Sequence, residues 1–350
     1  MAAPKWPIGD LVVDTAKPGS QAWLDLVEEP VIDPDRVIVD PHHHLWDQPS
    51  AFGRYTLDDL WRDTGSGHRI DKTVFLECGA SYRESGPEHL RCVGETEYVT
   101  EAARTSAEAG GERAVIAGIV SRADLRLGDT LDEVLDAHVE IAGDLFKGIR
   151  HSGAHAREPE ALRIAGRAPA GLYADGAFRR GVQRLGERGH TYDTWHYHYQ
   201  NREFLALAQA APDTIMVLDH FGTPLGVGPY ADQRAEIFRQ WQEDMKKIAA
   251  CPNVVAKLGG LAMPDNGFGW HVADRPPTSA EFAEAQRPYY LHMIDVFGPE
   301  RCMFESNFPV DRMSLSYAVL WNGIKRIAAE FSESDQDAMF SGTATRVYRL

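Results

Sequence analysis

Cysteine is scarce in this sequence of 350 residues, and its four copies lie far apart. Cys78, Cys92, Cys251 and Cys302 form no CxxC pair, which excludes a thiolate zinc site and a disulfide framework. No run of 18 apolar residues occurs, and the first residues lack the pattern of a signal peptide. We therefore expect a cytoplasmic protein without a membrane partner.

Positive charge is scarce as well, because 36 basic residues stand against 52 acidic ones and give a formal net charge of −16. Without any Lys/Arg-rich run, this excess argues against nucleic acid and anionic membranes as partners. The G-x-S-x-G, P-loop and H-E-x-x-H motifs are also absent. The expected partner is a small molecule, and a homo-oligomer is compatible with the sequence.

The sequence does contain a regular alternation of strand and helix patterns. Eight short apolar segments are expected to be strands: RVIVD, KTVFLEC, RAVIAGIV, DLFKGIR, HTYDTW, TIMVLD, NVVAKLG and RCMFES. Apolar residues at helical spacing lie between them, most clearly over 231–250 and 317–331. Eight such units predict an α/β fold, a single (β/α)8 barrel over residues 36–350 behind an N-terminal extension, residues 1–35. The last helix, which leads to Tyr348, is assigned to the outer ring.

The rival fold is a doubly wound open sheet, which usually has a Gly-rich turn after its first strand. Here the first strand runs into PHHHLWD instead, which favours the barrel. Two long segments, 222–230 and 262–279, follow strands and would lie at the catalytic face of a barrel. They are candidates for a lid or a substrate loop, with an ordinary surface loop as the alternative.

The strongest candidate for a functional site is the D-P-H-H-H segment at the end of the first strand. Because side chains alternate along a strand, His42 and His44 point to one side and His43 to the other. Two imidazoles about 6.6 Å apart along a strand can converge on one metal ion. At the C-terminal end of a barrel strand they would face the active site.

D-x-H-x-H at the end of the first strand resembles the amidohydrolase superfamily, specifically its amidohydrolase 2 branch of lactone hydrolases and decarboxylases. GHRIDKTVFLECGASY is similar to the second strand of this branch, VLDHFGTP to its sixth, NVVAKLGGL to its seventh and RCMFESNFPVD to its eighth. The resemblance covers nearly the whole chain after the extension. It implies that His220 is the third histidine of the site, either a metal ligand or a group that polarises the substrate carbonyl.

One position departs from the pattern of the superfamily, which usually has an aspartate at the end of the eighth strand as metal ligand and base. Asn307 stands there, and an amide cannot accept a proton near neutral pH, although it can hold a water or a substrate oxygen. The base is then expected among Glu77, Asp193, Glu305, Asp311 and the histidines. Glu77, which ends an apolar strand, is the first choice, with a structural salt bridge as its alternative. Asp311 is expected to cap the last helix.

Further candidates would bind the substrate. In HTYDTWHYHYQ, alternation turns Asp193 and Trp195 inward and His196 toward the helices, and the resemblance also favours His198. A guanidinium matches a carboxylate with two hydrogen bonds, so Arg150 at a strand end favours an anionic substrate. The predicted substrate-binding set is Arg54, Tyr55, Arg150, His151, Trp195, His198 and Lys257.

Together these features predict a hydrolase that opens a lactone or a related ring ester. The predicted catalytic residues are Glu77, Asp193, His220 and Asn307, and the predicted metal ligands are His42, His44 and His220. One divalent ion, in the first place Zn²⁺, fits three histidines, and metal-independent activity is the alternative because a fourth ligand is missing. Two rival functions are a non-oxidative decarboxylase of an aromatic or unsaturated acid on the same scaffold and a catalytically lapsed small-molecule-binding barrel.

Overall fold

The structure is a computed structural model that describes residues 17–50 and 53–350. Its strands are, in chain order, β1 (Ile38–His43), β2 (Trp46–Ser50), β3 (Gly53–Tyr55), β4 (Ile70–Leu76), β5 (Val115–Ser121), β6 (Phe146–Arg150), β7 (Thr191–Thr194), β8 (Met216–Leu218), β9 (Val254–Leu258) and β10 (Cys302–Phe304). Eight of them form one parallel sheet in the order β1-β4-β5-β6-β7-β8-β9-β10. Each predicted strand segment overlaps one of these eight. The antiparallel hairpin of β2 and β3 was not predicted.

The chain also forms helices, most of which lie on the outer side of the sheet. They are α1 (Gln21–Leu24), α2 (Leu57–Thr64), α3 (Val93–Ala109), α4 (Leu131–Ala142), α5 (Gly176–Glu187), α6 (Asn201–Ala210), α7 (Arg234–Ala249), α8 (Ser279–Phe297), α9 (Tyr317–Ala328), α10 (Glu333–Asp337) and α11 (Thr343–Tyr348). The two helices predicted from periodicity correspond to α7 and α9, and the predicted apolar face of α7 is buried. Among the described helices, none combines the length and the apolar composition of a membrane span.

The sheet closes into a barrel where the chain after β10 meets β1. His43 forms a parallel bridge with Phe308, and the backbone N–H of Asn307 donates to the carbonyl of His42 at 3.0 Å. Asp40 strengthens this seam, because its carboxylate accepts from the N–H of Ser306 and from the hydroxyl of Tyr317, both at 2.9 Å. The predicted (β/α)8 barrel is therefore confirmed.

Replacing Asp40 by alanine is expected to lower the free energy of unfolding by at least about 2 kcal/mol. The change leaves the Ser306 N–H and the Tyr317 hydroxyl buried without their acceptor, and each such donor costs about 1–3 kcal/mol. Urea unfolding followed by tryptophan fluorescence measures the loss. Tyr317→Phe, which removes only one of the two bonds, should cost about 1 kcal/mol; equal losses for both variants would contradict this role of Asp40.

The last helix does not belong to the outer ring, so that prediction is wrong. Apolar side chains of α11 pack against strand residues in a hydrophobic cluster of their own. This cluster is separate from the larger one between the sheet and the outer helices. Its strand members are Val39, Val74, Leu76, Val120, Val217, Val255 and Met303. Tyr348 is fully buried among them and its hydroxyl donates to Asp193. The C-terminal helix therefore fills the interior of the barrel below the strand ends.

Part of the predicted N-terminal extension lies outside the described residues, namely 1–16. The described part runs along the outside of the barrel, where Trp23 Nε1 donates to the carbonyl of Ala273 at 3.0 Å. The N–H of Ile32 donates to Asn322 Oδ1 in α9 at 2.8 Å. The segment is thus bonded both to the long loop after β9 and to an outer helix, while the division at residue 35 stays a prediction.

Candidate active site

A cavity opens at the C-terminal ends of the barrel strands. Its lining residues lie at the ends of seven of the eight barrel strands or in the chain that follows them: His44, Trp46, Cys78, Arg150, Ile164, Trp195, His220, Met263, Asn307 and Val310. Active sites of barrel enzymes lie at this end because the eight loops converge there. Five predicted site residues are in this lining, and Met263 comes from the predicted substrate loop, 262–279.

Below the cavity, one carboxylate lies between two histidines from opposite parts of the chain. Glu305, directly after β10, has Oε1 2.7 Å from Nδ1 of His220 and Oε2 2.6 Å from Nδ1 of His42. The two imidazole centroids are 4.6 Å apart, and Glu305 is fully buried. Because Nδ1 of His220 donates to Glu305, Nε2 is the nitrogen of His220 that remains for the cavity.

These three residues fit a metal ion. His42, His220 and Glu305 each offer one ligand atom, and the atoms lie within 4.8 Å of one another. His42 Nδ1 and Glu305 Oε2 are buried 2.6 Å apart, yet neither has a partner with hydrogen-bond geometry among the described residues. Buried polar atoms normally have such partners, so a cation bound beside Glu305 would satisfy its Oε2.

His44 has a different place from the one predicted for a metal ligand. Its Nδ1 donates to the carbonyl of Leu76 at 2.8 Å, which leaves Nε2 as the acceptor nitrogen, and its ring lines the cavity. The structure therefore groups Glu305, in place of His44, with His42 and His220. His43 points away from the site, as predicted, and bonds to Thr73 at 3.1 Å.

The backbone around His220 explains how its ring reaches Glu305. His220 has a φ of 54°, in the left-handed region that side chains other than glycine rarely adopt, and such strain is concentrated at functional sites. Gly260 lies against the ring, since a Cβ there would be 2.3 Å from His220 Nδ1. Gly259 packs equally closely on Glu305, with a Cβ position 2.4 Å from Cγ. The Gly-Gly pair after β9 thus leaves room for the histidine and the carboxylate.

The surroundings set different protonation states for the three histidines. Burial disfavours the charged form of His220, but the charge and the hydrogen bond of Glu305 outweigh this effect and raise the pKa of His220. Burial, followed by the charge of Lys257, holds the pKa of His42 well below its usual range. Burial and the nearby Arg150 do the same for the pKa of His44. His220 is therefore the histidine that exchanges a proton most readily near neutral pH.

Arg150 lines the cavity, but protein groups already occupy its guanidinium. Its Nε donates to Glu77 Oε1 at 2.9 Å, a second nitrogen donates to the carbonyl of Glu77, and a third donates to His42 Nε2 at 3.2 Å. Glu77 is thus in the salt bridge that the sequence left open as its alternative role. A substrate carboxylate would have to compete with Glu77 for the two guanidinium nitrogens, Nε and Nη2, that bind it.

A second buried charge group lies deeper in the barrel. Lys257 Nζ is 3.0 Å from Asp193 Oδ2 and 3.2 Å from Asp219 Oδ1, and all three residues are fully buried. Asp219 also lies 3.8 Å from both His42 Nδ1 and an Arg150 nitrogen. Asp193 and Lys257 therefore do not reach the cavity, where the sequence placed them as base and substrate-binding residue. Through Asp219, this charged group lies directly beneath His42.

Four other predicted substrate-binding residues lie outside the cavity. Arg54 is exposed and donates to the carbonyl of Asp47, and the hydroxyl of Tyr55 donates to Asp63 in α2. His151 Nδ1 accepts from a backbone N–H after β5, and His198 Nδ1 accepts from one after β8. The binding role predicted for these residues has no geometric support, because alternation or a turn directs each side chain elsewhere.

The residues after β10 also differ from expectation. Asn307 lines the cavity, as predicted, and its Nδ2 donates to Asp311 Oδ1 at 2.9 Å. Asp311 is fully buried and does not cap the following helix, because Ser316 caps α9. Burial raises the pKa of Asp311 to about 7. The cap prediction is therefore wrong.

Two functional positions were underestimated or missed in the sequence. Glu305 was one of several candidate bases, and Asp219 was not considered, although it precedes His220 directly. Alternation gives a signal for both, since each lies two residues after an inward-facing position of its strand, Val217 or Met303. That signal shows which way a side chain points, but not which partner it meets across the barrel.

Comparison with known proteins agrees with this architecture. The family model described as amidohydrolase matches residues 39–350. An uncharacterised protein of Sinorhizobium fredii, y4mH, is 33% identical over 344 residues, which cover 90% of this chain and 99% of that protein. An L-fucono-1,5-lactonase of Burkholderia multivorans is 26% identical over 334 residues, 89% of this chain and 96% of the lactonase.

A crystal structure of an amidohydrolase from Burkholderia multivorans with bound zinc has the same fold. It superposes with a TM-score of 0.68 at 23% identity and covers 90% of this chain and 100% of that one. At this identity the similarity concerns the barrel alone. The match to the family model and the relative at 33% identity show more: the chain belongs to the amidohydrolase family.

Proposed function

We propose that this protein hydrolyses the ring ester of a small lactone. The observation that carries the proposal is the His220–Glu305 pair at the floor of a cavity built from strand C-termini. A carboxylate that orients a histidine in this way prepares its other nitrogen for proton transfer. The lactonase names of two relatives at 26% and 25% identity support the choice of ester over other bonds.

In this reaction, water adds to the ring carbonyl and the bond between the carbonyl carbon and the ring oxygen breaks. Without a metal, His220 Nε2 takes the proton from the attacking water, and Glu305 stabilises the imidazolium through Nδ1. The same nitrogen then gives the proton to the departing alkoxide, so a hydroxy acid forms and the protein returns to its first state. The raised pKa of His220 suits both transfers near neutral pH.

The other lining residues would hold the substrate. The indoles of Trp46 and Trp195 give the cavity apolar walls on which a ring can pack. Arg150 carries positive charge at the cavity, and Asn307 offers an amide that can hold a water or the carbonyl oxygen. An anionic substrate, as expected from Arg150, stays a prediction, because binding it requires the guanidinium to leave Glu77 in part.

We further propose that His42, His220 and Glu305 hold one divalent cation. Four carboxylates and two permanent cations meet in the buried network around them; the anions are Glu77, Asp193, Asp219 and Glu305, and the cations are Arg150 and Lys257. With the carboxylates ionised and the histidines neutral, this network has two negative charges in excess. A divalent ion bound there would polarise the carbonyl and lower the pKa of a water. Zinc is the first candidate for two histidines and a carboxylate.

Metal content tests this second part. The purified protein is expected to contain about one divalent ion per chain, and Glu305→Gln should lower that content because it removes a charged ligand. Elemental analysis before and after dialysis against a chelator gives the result, with Glu281→Gln in the exposed cap of α8 as control. A metal-free protein with full activity would overturn the metal proposal and leave His220 as the base.

A substrate panel tests the reaction itself. L-fucono-1,5-lactone and other neutral sugar lactones, each paired with a carboxylated lactone, are compared with aromatic acids. We expect release of a hydroxy acid from at least one lactone and no carbon dioxide from the acids. Carbon dioxide release with an unchanged ring would favour the decarboxylase that the sequence also allows. Binding without turnover at any pH or with any added metal would favour a lapsed binding barrel.

A further inference from the structure

The turn after β10 joins a cavity residue to a buried carboxyl group to which the mechanism assigns no role. Asn307 has a φ of 56°, a left-handed conformation that asparagine tolerates better than most residues. Its N–H donates to the carbonyl of His42 at 3.0 Å, so its backbone belongs to the seam of the barrel. Asp311 follows one turn later, and its N–H donates to the carbonyl of Asn307 at 3.1 Å.

The side chains of the two residues are also bonded, from Asn307 Nδ2 to Asp311 Oδ1 at 2.9 Å. An ionised carboxylate only accepts hydrogen bonds, whereas an amide has one end that donates and one that accepts. Burial raises the pKa of Asp311 to about 7, so above that pH the carboxylate binds the NH2 end of Asn307 and leaves the oxygen end for the other side.

We propose that Asp311 is a positioning residue that turns the amide oxygen of Asn307 toward the cavity. The oxygen accepts a hydrogen bond from the water that attacks the substrate and so holds that water in place. This last step rests on the proposed lactone hydrolysis, while the orientation of the amide does not. The arrangement gives the cavity an acceptor at the end of the eighth barrel strand, although the residue there is uncharged.

Burial and local bonding support a role beyond stability. Asp311 is fully buried, which is costly for a carboxyl group, and Ser316 serves as the cap of α9 in its place. The carbonyl of Asp311 accepts from the N–H of Ser314 at 2.9 Å, and Ser314 Oγ donates to the carbonyl of Ala262. The turn, and with it the backbone of Asp311, is thus fixed to the loop after β9.

The test uses Asp311→Asn and a swap in which Asn307→Asp and Asp311→Asn are combined. Asp311→Asn keeps the size of the side chain, but its NH2 group can donate to Asn307, so the Asn307 amide can rotate by 180° and direct its NH2 end toward the cavity. We expect at least a tenfold lower kcat with KM changed less than twofold. In the swap, the carboxylate at 307 offers acceptor oxygens on both sides and the amide at 311 donates to it, so most of the lost kcat should return. Asn307→Asp alone has the same new carboxylate but faces Asp311, and it should stay less active than the swap; equal activity would mean that the carboxylate acts as a base whatever residue 311 is.

A swap no more active than Asp311→Asn, with both proteins folded by circular dichroism, would overturn the proposal. An unchanged kcat in Asp311→Asn would also do so. If Asp311→Asn does not fold, the swap alone decides, since it keeps the number of charges and the hydrogen bond.

A measurement without substrate separates this inference from the proposed reaction. In the NMR spectrum of the wild-type protein, the side-chain NH2 of Asn307 should show slow solvent exchange, and its assignment follows from its loss in Asn307→Asp. Asp311→Asn should speed up that exchange even if no lactone is ever hydrolysed. Rapid exchange in the wild type would contradict the orientation by Asp311.

Discussion

Replacing Glu305 by glutamine is expected to lower kcat by about 10²–10⁴-fold, the usual range for loss of acid–base catalysis. The amide has nearly the same shape as the carboxylate but no charge and only one oxygen, so it cannot replace both the bond to His220 Nδ1 and the close contact with His42 Nδ1. The pKa of His220 should fall, because the charge of Glu305 is what raises it. Steady-state kinetics on the substrate found in the panel measures the effect.

The matched control is Glu281→Gln, which changes the same chemical group in the exposed capping box of α8. It should leave kcat within about twofold, since surface substitutions rarely affect a remote site by more than about 0.5 kcal/mol. Thermal unfolding of both variants shows whether they fold. A folded Glu305→Gln with wild-type kcat would contradict the role of the carboxylate.

Replacing Lys257 by methionine is expected to lower the free energy of unfolding by about 3–5 kcal/mol. The side chain of methionine has a similar length, so packing changes little, but Asp193 and Asp219 lose the ammonium group that lies about 3 Å from each. Burial disfavours the charged form of Lys257, yet these two carboxylates outweigh that effect and raise its pKa. Urea unfolding at pH 7 measures the loss.

Lys246→Met provides the comparison, because Lys246 pairs with Glu243 on the exposed surface of α7. An exposed pair contributes about 0–1 kcal/mol, so the control should be close to wild type. Equal losses of stability in both lysine variants would contradict a stabilising role of the buried group of Lys257, Asp193 and Asp219.

Much of the fold follows from the sequence, because each barrel strand is a short apolar segment with its own local signal. The alternation that placed His42 and His44 on one face also holds in the structure, and it turns His196 outward, where it bonds to Tyr173 and Asn201. These are relations between residues close in sequence. Periodicity is sufficient to predict them.

The relations that sequence reasoning missed join distant parts of the chain. Glu305 and His220 are 85 residues apart, and only closure of the barrel shows that this carboxylate, and not Glu77, lies beside the histidine. Glu77 looked costly to bury, but Arg150 from another strand neutralises it. In the same way, the helix that ends at Tyr348 was assigned to the outer ring, and only closure of the barrel shows that its apolar side chains pack against the inner faces of the strands.

The most direct test of the central claim is turnover of the best lactone in water labelled with ¹⁸O, followed by mass spectrometry of the product. Attack of water on the ring carbonyl predicts one ¹⁸O atom in the carboxylate of the ring-opened hydroxy acid and none in the new hydroxyl group. The label should appear with the wild-type protein and with Glu281→Gln, and at least about 100-fold more slowly with Glu305→Gln. Label in the hydroxyl group, or an equal rate with Glu305→Gln, would contradict lactone opening at the His220–Glu305 pair.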